Sequence, residues 1–85
     1  NFRLPEFDER LDLWHAHLPP THAVPAAMLE RIAEACTLSG GQIRNVVLAA
    51  TSSALALDCA VDDEILADAL RREYRRSGGL FPLAR

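Results

Sequence analysis

The sequence predicts an all-α fold, a small bundle of four helices. Apolar residues recur at spacings of three and four in four separate stretches, which is the pattern of helices buried on one face. Proline, glycine and short polar segments divide these stretches from one another. No segment alternates convincingly between apolar and polar residues except residues 1–4, which are compatible with the tail of a strand from a separate sheet.

Prolines delimit the first two helices. The first is predicted to follow Pro5 and to end before Pro19-Pro20, because proline suits a first helical position but cannot continue a helix. The second is predicted to begin near Pro25 and to end around residue 37. Each has one apolar face. The first face consists of Phe7, Leu11, Trp14 and Leu18, and the second of Leu29, Ile32, Ala33 and Cys36.

The third helix is predicted over residues 40–58 and the fourth from residues 62–64 to the Ser77-Gly78-Gly79 sequence. Acids open the fourth helix and arginines close it, as the helix dipole favours. The apolar face of the third helix consists of Ile43, Val46, Val47, Ala50, Ala54 and Leu57. The shared core is predicted to contain Trp14, Leu29, Ile32, Val47, Ala50 and Leu66.

Composition indicates one ordinary domain. The chain has 85 residues, of which 49% are hydrophobic and 25% charged, and its net charge is −3. We treat residues 1–85 as a single domain and, because the start has neither an initiator methionine nor a signal-peptide pattern, expect it to be a segment of a longer chain. The apolar runs are too short to span a membrane, so a cytoplasmic location is expected. An acidic chain whose only basic residues are nine arginines is an unusual nucleic-acid binder.

No metal site is expected. Cys36 and Cys59 lie 23 positions apart without a CxxC motif, so both are predicted to be buried thiols. His15 and His17 are two residues apart and therefore do not share a helix face.

Residues 38–42 read LSGGQ, the signature string of ABC transporter ATPases. The same letters make a complete helix start: Ser39 and Gln42 form a capping box, and Leu38 and Ile43 form a hydrophobic staple. An ABC ATPase also needs a phosphate-loop lysine, and this chain contains no lysine. Its Asp-Glu pair, residues 63–64, is predicted to begin a helix and does not end an apolar strand. The ABC interpretation is therefore rejected.

Two glycines remain to be explained at the start of the third helix. Gly40 and Gly41 are poor helix residues, and they let another surface approach the backbone. Helix-start amides favour anions, and Arg44, one turn inside, can bind the same anion with its guanidinium fork. A phosphate is the natural candidate. The alternative is that the glycines only allow tight packing and that Arg44 pairs with a surface acid.

In the order of its segments the chain resembles the C-terminal helical lid of AAA+ ATPases, over about residues 2–74. LPEFDERLDLWHAHL matches the proline, arginine and amphipathic helix that follow the last core strand of that family. LERIAEAC, TLSGGQIRN and VDDEILADALRR match the next three helices in order. The resemblance rests on the order and spacing of these segments.

The resemblance implies roles for five residues. Arg44 matches the sensor-2 arginine that contacts the γ-phosphate of ATP, and Gly40 and Gly41 match the residues against which the adenosine rests. Leu13 and His17 match lid residues near the base. The resemblance also implies ATP and Mg²⁺ bound mainly by a preceding core domain, a homo-oligomeric ring that remodels proteins, and no hydrolysis or nucleotide binding by this segment alone.

A free-standing helical module that binds protein or nucleic acid is the alternative function. Its contact edge would be the arginines that close the fourth helix, Arg71, Arg72, Arg75 and Arg76. Arginines in a last helical turn are, however, favoured by the dipole without any ligand.

Overall fold

Four helices form most of residues 3–83, the part of the chain that the computed structural model describes. They are α1 (Phe7–His17), α2 (Ala26–Ala35), α3 (Gly40–Leu57) and α4 (Asp63–Ser77). No strand occurs within residues 3–83, so the predicted all-α bundle is confirmed. Of the expected strand tail, Arg3 and Leu4 are not in a strand, and residues 1–2 lie outside the described residues.

One hydrophobic core joins the four helices. α1 packs against both α2 and α3, and α3 packs along α4. All six residues predicted for the shared core are buried: Trp14, Leu29, Ile32, Val47, Ala50 and Leu66. The radius of gyration of 12.0 Å is the value expected for a chain of this length that folds as one domain. No helix within residues 3–83 combines the length and apolar character that a membrane crossing would need.

The loops at one end of the bundle are fixed by backbone bonds. The amide of Ala23, between α1 and α2, donates to the carbonyl of Val61, between α3 and α4, at 2.7 Å. α3 ends at Asp58, which adopts the left-handed conformation with φ 56°. α4 ends at Gly78 with φ 82°, where glycine has no Cβ to resist that conformation.

Three residues predicted to be buried are exposed. Leu57 is 67% exposed because α3 ends there, and Val61, after the turn, lies buried instead. Phe7 is 37% exposed because it is the first residue of α1, where the helix has just begun. Cys59 is exposed because it lies in the turn that follows α3, whereas Cys36 is fully buried as predicted.

The predicted helix boundaries agree with the structure to within about two residues. α2 ends at Ala35 and not near residue 37, because Cys36 has an extended backbone. Asp63 and Glu64 lie in the first turn of α4, which confirms that this acidic pair begins a helix.

Candidate functional site

The start of α3 is capped as the sequence predicts. The Gln42 amide donates to Ser39 Oγ at 3.1 Å, and the Ser39 amide donates to Gln42 Oε1 at 3.0 Å. Leu38 and Ile43, the pair predicted as a hydrophobic staple, are both buried. Two first-turn amides remain unused, since the N–H groups of Gly40 and Gly41 have no acceptor among residues 3–83.

Packing within the bundle does not require a glycine at either position. A Cβ on Gly40 would lie 3.8 Å from Leu13 Cδ1, an ordinary van der Waals contact, and a Cβ on Gly41 would meet no atom within 4 Å. Glycine is a poorer helix residue than alanine, so space for the chain's own atoms gives no reason for either glycine. The tight-packing alternative therefore does not explain them.

Arg44 lies on the same side of α3 as the two glycines, three residues after Gly41 and four after Gly40. Its side chain is exposed, and it forms no hydrogen bond or ion pair with any residue from 3 to 83. The alternative in which Arg44 pairs with a surface acid is thus not seen. A free guanidinium beside two unused helix-start amides makes a surface suited to an anion.

α1 contributes the two other predicted site residues. Leu13 is half-buried, and its Cδ1 lies 3.8 Å from the position that a Cβ on Gly40 would take, so the structure brings Leu13 close to the α3 start. His17 lies one turn further along α1, as its last residue, and is exposed. The His17 side chain forms no hydrogen bond with any residue from 3 to 83.

Two charged residues that were not predicted to be buried are buried, Glu73 and Arg10. Glu73 of α4 is 6% exposed, and both its carboxylate oxygens accept bonds of 2.9 Å from Arg76. Its Oε2 also lies 3.5 Å from Nε2 of Gln42, the capping residue of α3. The sequence signal was its spacing of seven from buried Leu66, which places it on the apolar face of α4.

Arg10 is the other such residue. It is 7% exposed, and it donates from Nε to the carbonyl of Ala33 and from Nη1 to the carbonyl of Pro5, each at 2.6 Å. Its spacing of four from Trp14 indicated the buried face of α1. No carboxylate pairs with it among residues 3–83.

The arginines at the end of α4 are mostly occupied within the domain. Arg72 lies 2.6 Å from Asp68, Arg76 binds Glu73, and Arg71 lies over the ring of Phe81 at 5.7 Å from its centroid. Their presence is thus explained by local pairing and by the helix dipole, which weakens the interpretation as a nucleic-acid edge.

No group of three or more histidine, cysteine, aspartate or glutamate side chains suited to a metal ion occurs within residues 3–83. A cleft of about 510 Å³ lies between α2, α4 and the residues after α4. It mixes acidic, basic and apolar side chains, and none of the five predicted site residues lines it.

Comparison with known proteins gives a family. The sequence model of the contractile injection system ATPase helical domain matches residues 6–76, from the start of α1 to the end of α4. No curated protein and no solved structure matches the chain significantly. Because the match covers all four helices, the chain belongs to the family of contractile injection system ATPase helical domains.

Proposed function

We propose that this domain is the lid of an AAA+ ATPase, closing over ATP bound to a core domain elsewhere in the same protein. The observation that carries the proposal is the start of α3. Internal packing does not require the two glycines, and neither their amides nor the exposed Arg44 side chain has a bonding partner among residues 3–83. The family, a helical domain of an ATPase, supports the same proposal at a coarser level.

The described residues fit a triphosphate better than a magnesium ion. Gly41 is open on its Cβ side and no residue from 3 to 83 binds the Arg44 fork, so a phosphate oxygen can approach both. Residues 3–83 hold no cluster suited to a metal, so Mg²⁺ would be held by the core domain. Bound ATP would supply the phosphoryl group that is transferred to water.

The chain's own residues would then have distinct tasks. Arg44 stabilises the negative charge that develops on the phosphate oxygens in the transition state. Gly40 and Gly41 present bare backbone to the adenosine side, and Leu13, whose side chain lies close to Gly40, forms an apolar wall beside them. His17 is proposed to lie near the base, since it is exposed one turn from Leu13.

The packing of α3 connects Arg44 to the rest of the bundle. Arg44 lies on α3, and α3 is packed against both α1 and α4, so force on its guanidinium acts on the whole bundle. We propose that the lid rotates as a rigid body when its contact with the γ-phosphate forms or breaks, and that a neighbouring subunit of a homo-oligomeric ring receives this movement. Such a ring would remodel a protein substrate.

Arg44→Ala in the full-length ATPase tests the proposal. We expect ATP hydrolysis to slow about 10²- to 10³-fold, the usual loss when one preorganised donor to developing charge is removed. The melting temperature should not change, because Arg44 pairs with none of residues 3–83. Arg44→Lys should recover little, since an ammonium cannot reproduce the planar fork.

Arg31→Ala is the matched control. Arg31 is also an exposed helix arginine with no ion pair among residues 3–83, and it should leave both the steady-state ATPase rate and the melting temperature unchanged. If Arg44→Ala hydrolysed ATP at the wild-type rate, the proposed contact with the phosphate would be wrong.

A further inference from the structure

Arg10 links the chain that enters the bundle to the end of α2. Its Nη1 binds the carbonyl of Pro5, just before α1, and its Nε binds the carbonyl of Ala33 in the last turn of α2. Both bonds measure 2.6 Å, and the side chain is 7% exposed. A single rigid guanidinium thus holds two segments that are far apart in sequence.

Neither bond is an ion pair, and this separates Arg10 from the other paired arginines. The Ala33 carbonyl is among the last four of α2, which have no donor within the helix. A cation at that end also interacts favourably with the helix dipole. Arg10 therefore caps α2 through its bond to Ala33. Its other bond, to the carbonyl of Pro5, does not act on α2 and instead holds the chain that enters α1.

The end of α2 is directly coupled to the start of α3. Only residues 36–39 separate them, and within this segment Cys36 and Leu38 are buried while Ser39 caps α3. This short connection leaves little freedom between the Ala33 carbonyl and Gly40. The direction of the entering chain is therefore tied, through Arg10, to the position of the α3 start.

We propose that Arg10 is a positioning residue that fixes the angle between the entering segment, residues 3–6, and the start of α3. Movement of the entering segment then carries Gly41 and Arg44 with it as one body. This inference rests on the proposed function, in which Arg44 must reach a phosphate held by another domain. Arg3 supports the segment less strongly, because its two bonds to Glu9 are solvent-exposed.

The first test measures the geometry alone. Spin labels at Leu4→Cys and Asn45→Cys, both exposed positions, report the distance from the entering segment to α3 in a Cys59→Ser background. We expect a narrow distance distribution in the otherwise wild-type chain and a broad one with Arg10→Lys, whose ammonium cannot hold two separated carbonyls in the same planar geometry. Arg31→Lys, the same change at an exposed site, should leave the distribution narrow.

The second test measures hydrolysis by the full-length ATPase. Arg10→Lys should lower kcat about 10- to 100-fold, as misplacement of a distant group does, and should change KM by less than about twofold. The Arg10→Lys, Arg44→Ala double variant should hydrolyse ATP at about the rate of Arg44→Ala alone, because Arg10 acts through Arg44. Independent effects would multiply.

The outcomes separate the two proposals. The positioning role is overturned if the distance between the spin labels is broadly distributed with Arg10 intact. It is also overturned if the distance stays narrowly distributed with Arg10→Lys. The first of these outcomes does not depend on whether the Arg10 variant folds. Multiplying rate effects would show that Arg10 acts independently of Arg44, which would overturn its role in positioning Arg44. A wild-type rate for Arg44→Ala would instead overturn the proposed function and leave the distance measurement to decide the geometry.

Discussion

At the scale of single residues, polar side chains inside this domain bind backbone or one another in place of water. Arg10 is satisfied by two carbonyls, and Glu73 by Arg76 and Gln42. Trp14 differs, since its Nε1 is buried without an acceptor among residues 3–83. Leaving a buried charge without its partners destabilises a protein by more than the intact interaction stabilises it. We therefore expect the loss of a partner of Arg10 or Glu73 to lower the free energy of unfolding.

Tyr74 gives a prediction about pH. Burial raises the pKa of its phenol to about 12, and the neighbouring Cys36 thiol adds to the shift. Burial likewise raises the pKa of Cys36. A raised pKa means that the folded state keeps its proton where the unfolded chain loses it. The contribution of Tyr74 to the free energy of unfolding is therefore fully present below the ordinary pKa of 10.0, and it is lost as the pH rises towards 12.

Tyr74 is the only tyrosine of the chain, so the phenolate absorbance reports it alone. We expect a titration midpoint near pH 12 in the folded protein. Above pH 10, the free energy of unfolding of Tyr74→Phe should fall less steeply with rising pH than that of the wild type. The decrease that remains should include the contribution of Cys36. A midpoint at the ordinary value in the folded protein would show that the phenol is not shielded from water.

At the scale of helices, capping residues that are recognisable in the sequence determine where α3 begins and where α4 begins and ends. Ser39 and Gln42 cap α3, and Asp62 Oδ1 accepts the amide of Ile65 at 2.9 Å to cap α4. Gly78 ends α4 in the left-handed conformation. Because caps satisfy amides and carbonyls that have no partner within the helix, α3 begins at its capping residues and α4 begins and ends at its own.

Ser39→Ala should lower the free energy of unfolding by about 1 kcal/mol, the usual loss of an N-cap. The ATPase rate of the full-length protein should remain largely intact, since Arg44 and the glycines are unchanged. Denaturant unfolding and steady-state hydrolysis measure the two effects. Ser52→Ala, an exposed serine within α3, is the control and should cost nothing, as alanine is the better helix former. Equal losses for the two variants would contradict the assigned cap.

At the scale of the whole molecule, α1 is central because it packs on both α2 and α3. Its largest side chain, Trp14, is 0% exposed. α3 carries the candidate site at its start and packs along α4, so the site is one corner of the bundle and not a separate loop. This arrangement makes the position of Arg44 depend on the integrity of the core.

Trp14→Ala should lower the free energy of unfolding by about 3 to 5 kcal/mol, because it removes a fully buried ring and leaves a cavity. Phe7→Ala is the matched control on the same helix. Its ring is 37% exposed, so the loss should be clearly smaller. Trp14 is the only tryptophan, and its emission in the folded protein should be that of an indole shielded from water. Emission typical of a solvated indole would contradict the described core.

The candidate site was predicted in part. Ser39, Gln42, the glycine pair and Arg44 are adjacent in sequence, so helix periodicity alone placed them on one helix start. Leu13 lies beside Gly40 because α1 packs on α3, whereas the resemblance to a family placed each residue near the nucleotide without predicting that they are neighbours. The roles of Arg44, Gly40, Gly41, Leu13 and His17 towards a nucleotide stay predictions.

The sequence by itself determined the number of helices, their approximate ends and most of the core, because periodicity and capping are properties of neighbouring residues. Only the tertiary structure decided which marginal residues are covered. Leu57 continues the apolar face of α3 yet is exposed, and Glu73 and Arg10 are buried although charged. Whether a residue is buried depends on which helix or loop packs against it. The partners of Arg10 are backbone carbonyls, which every residue has whatever its type. The order of residue types along the chain therefore predicts neither the burial of these residues nor the partners of Arg10.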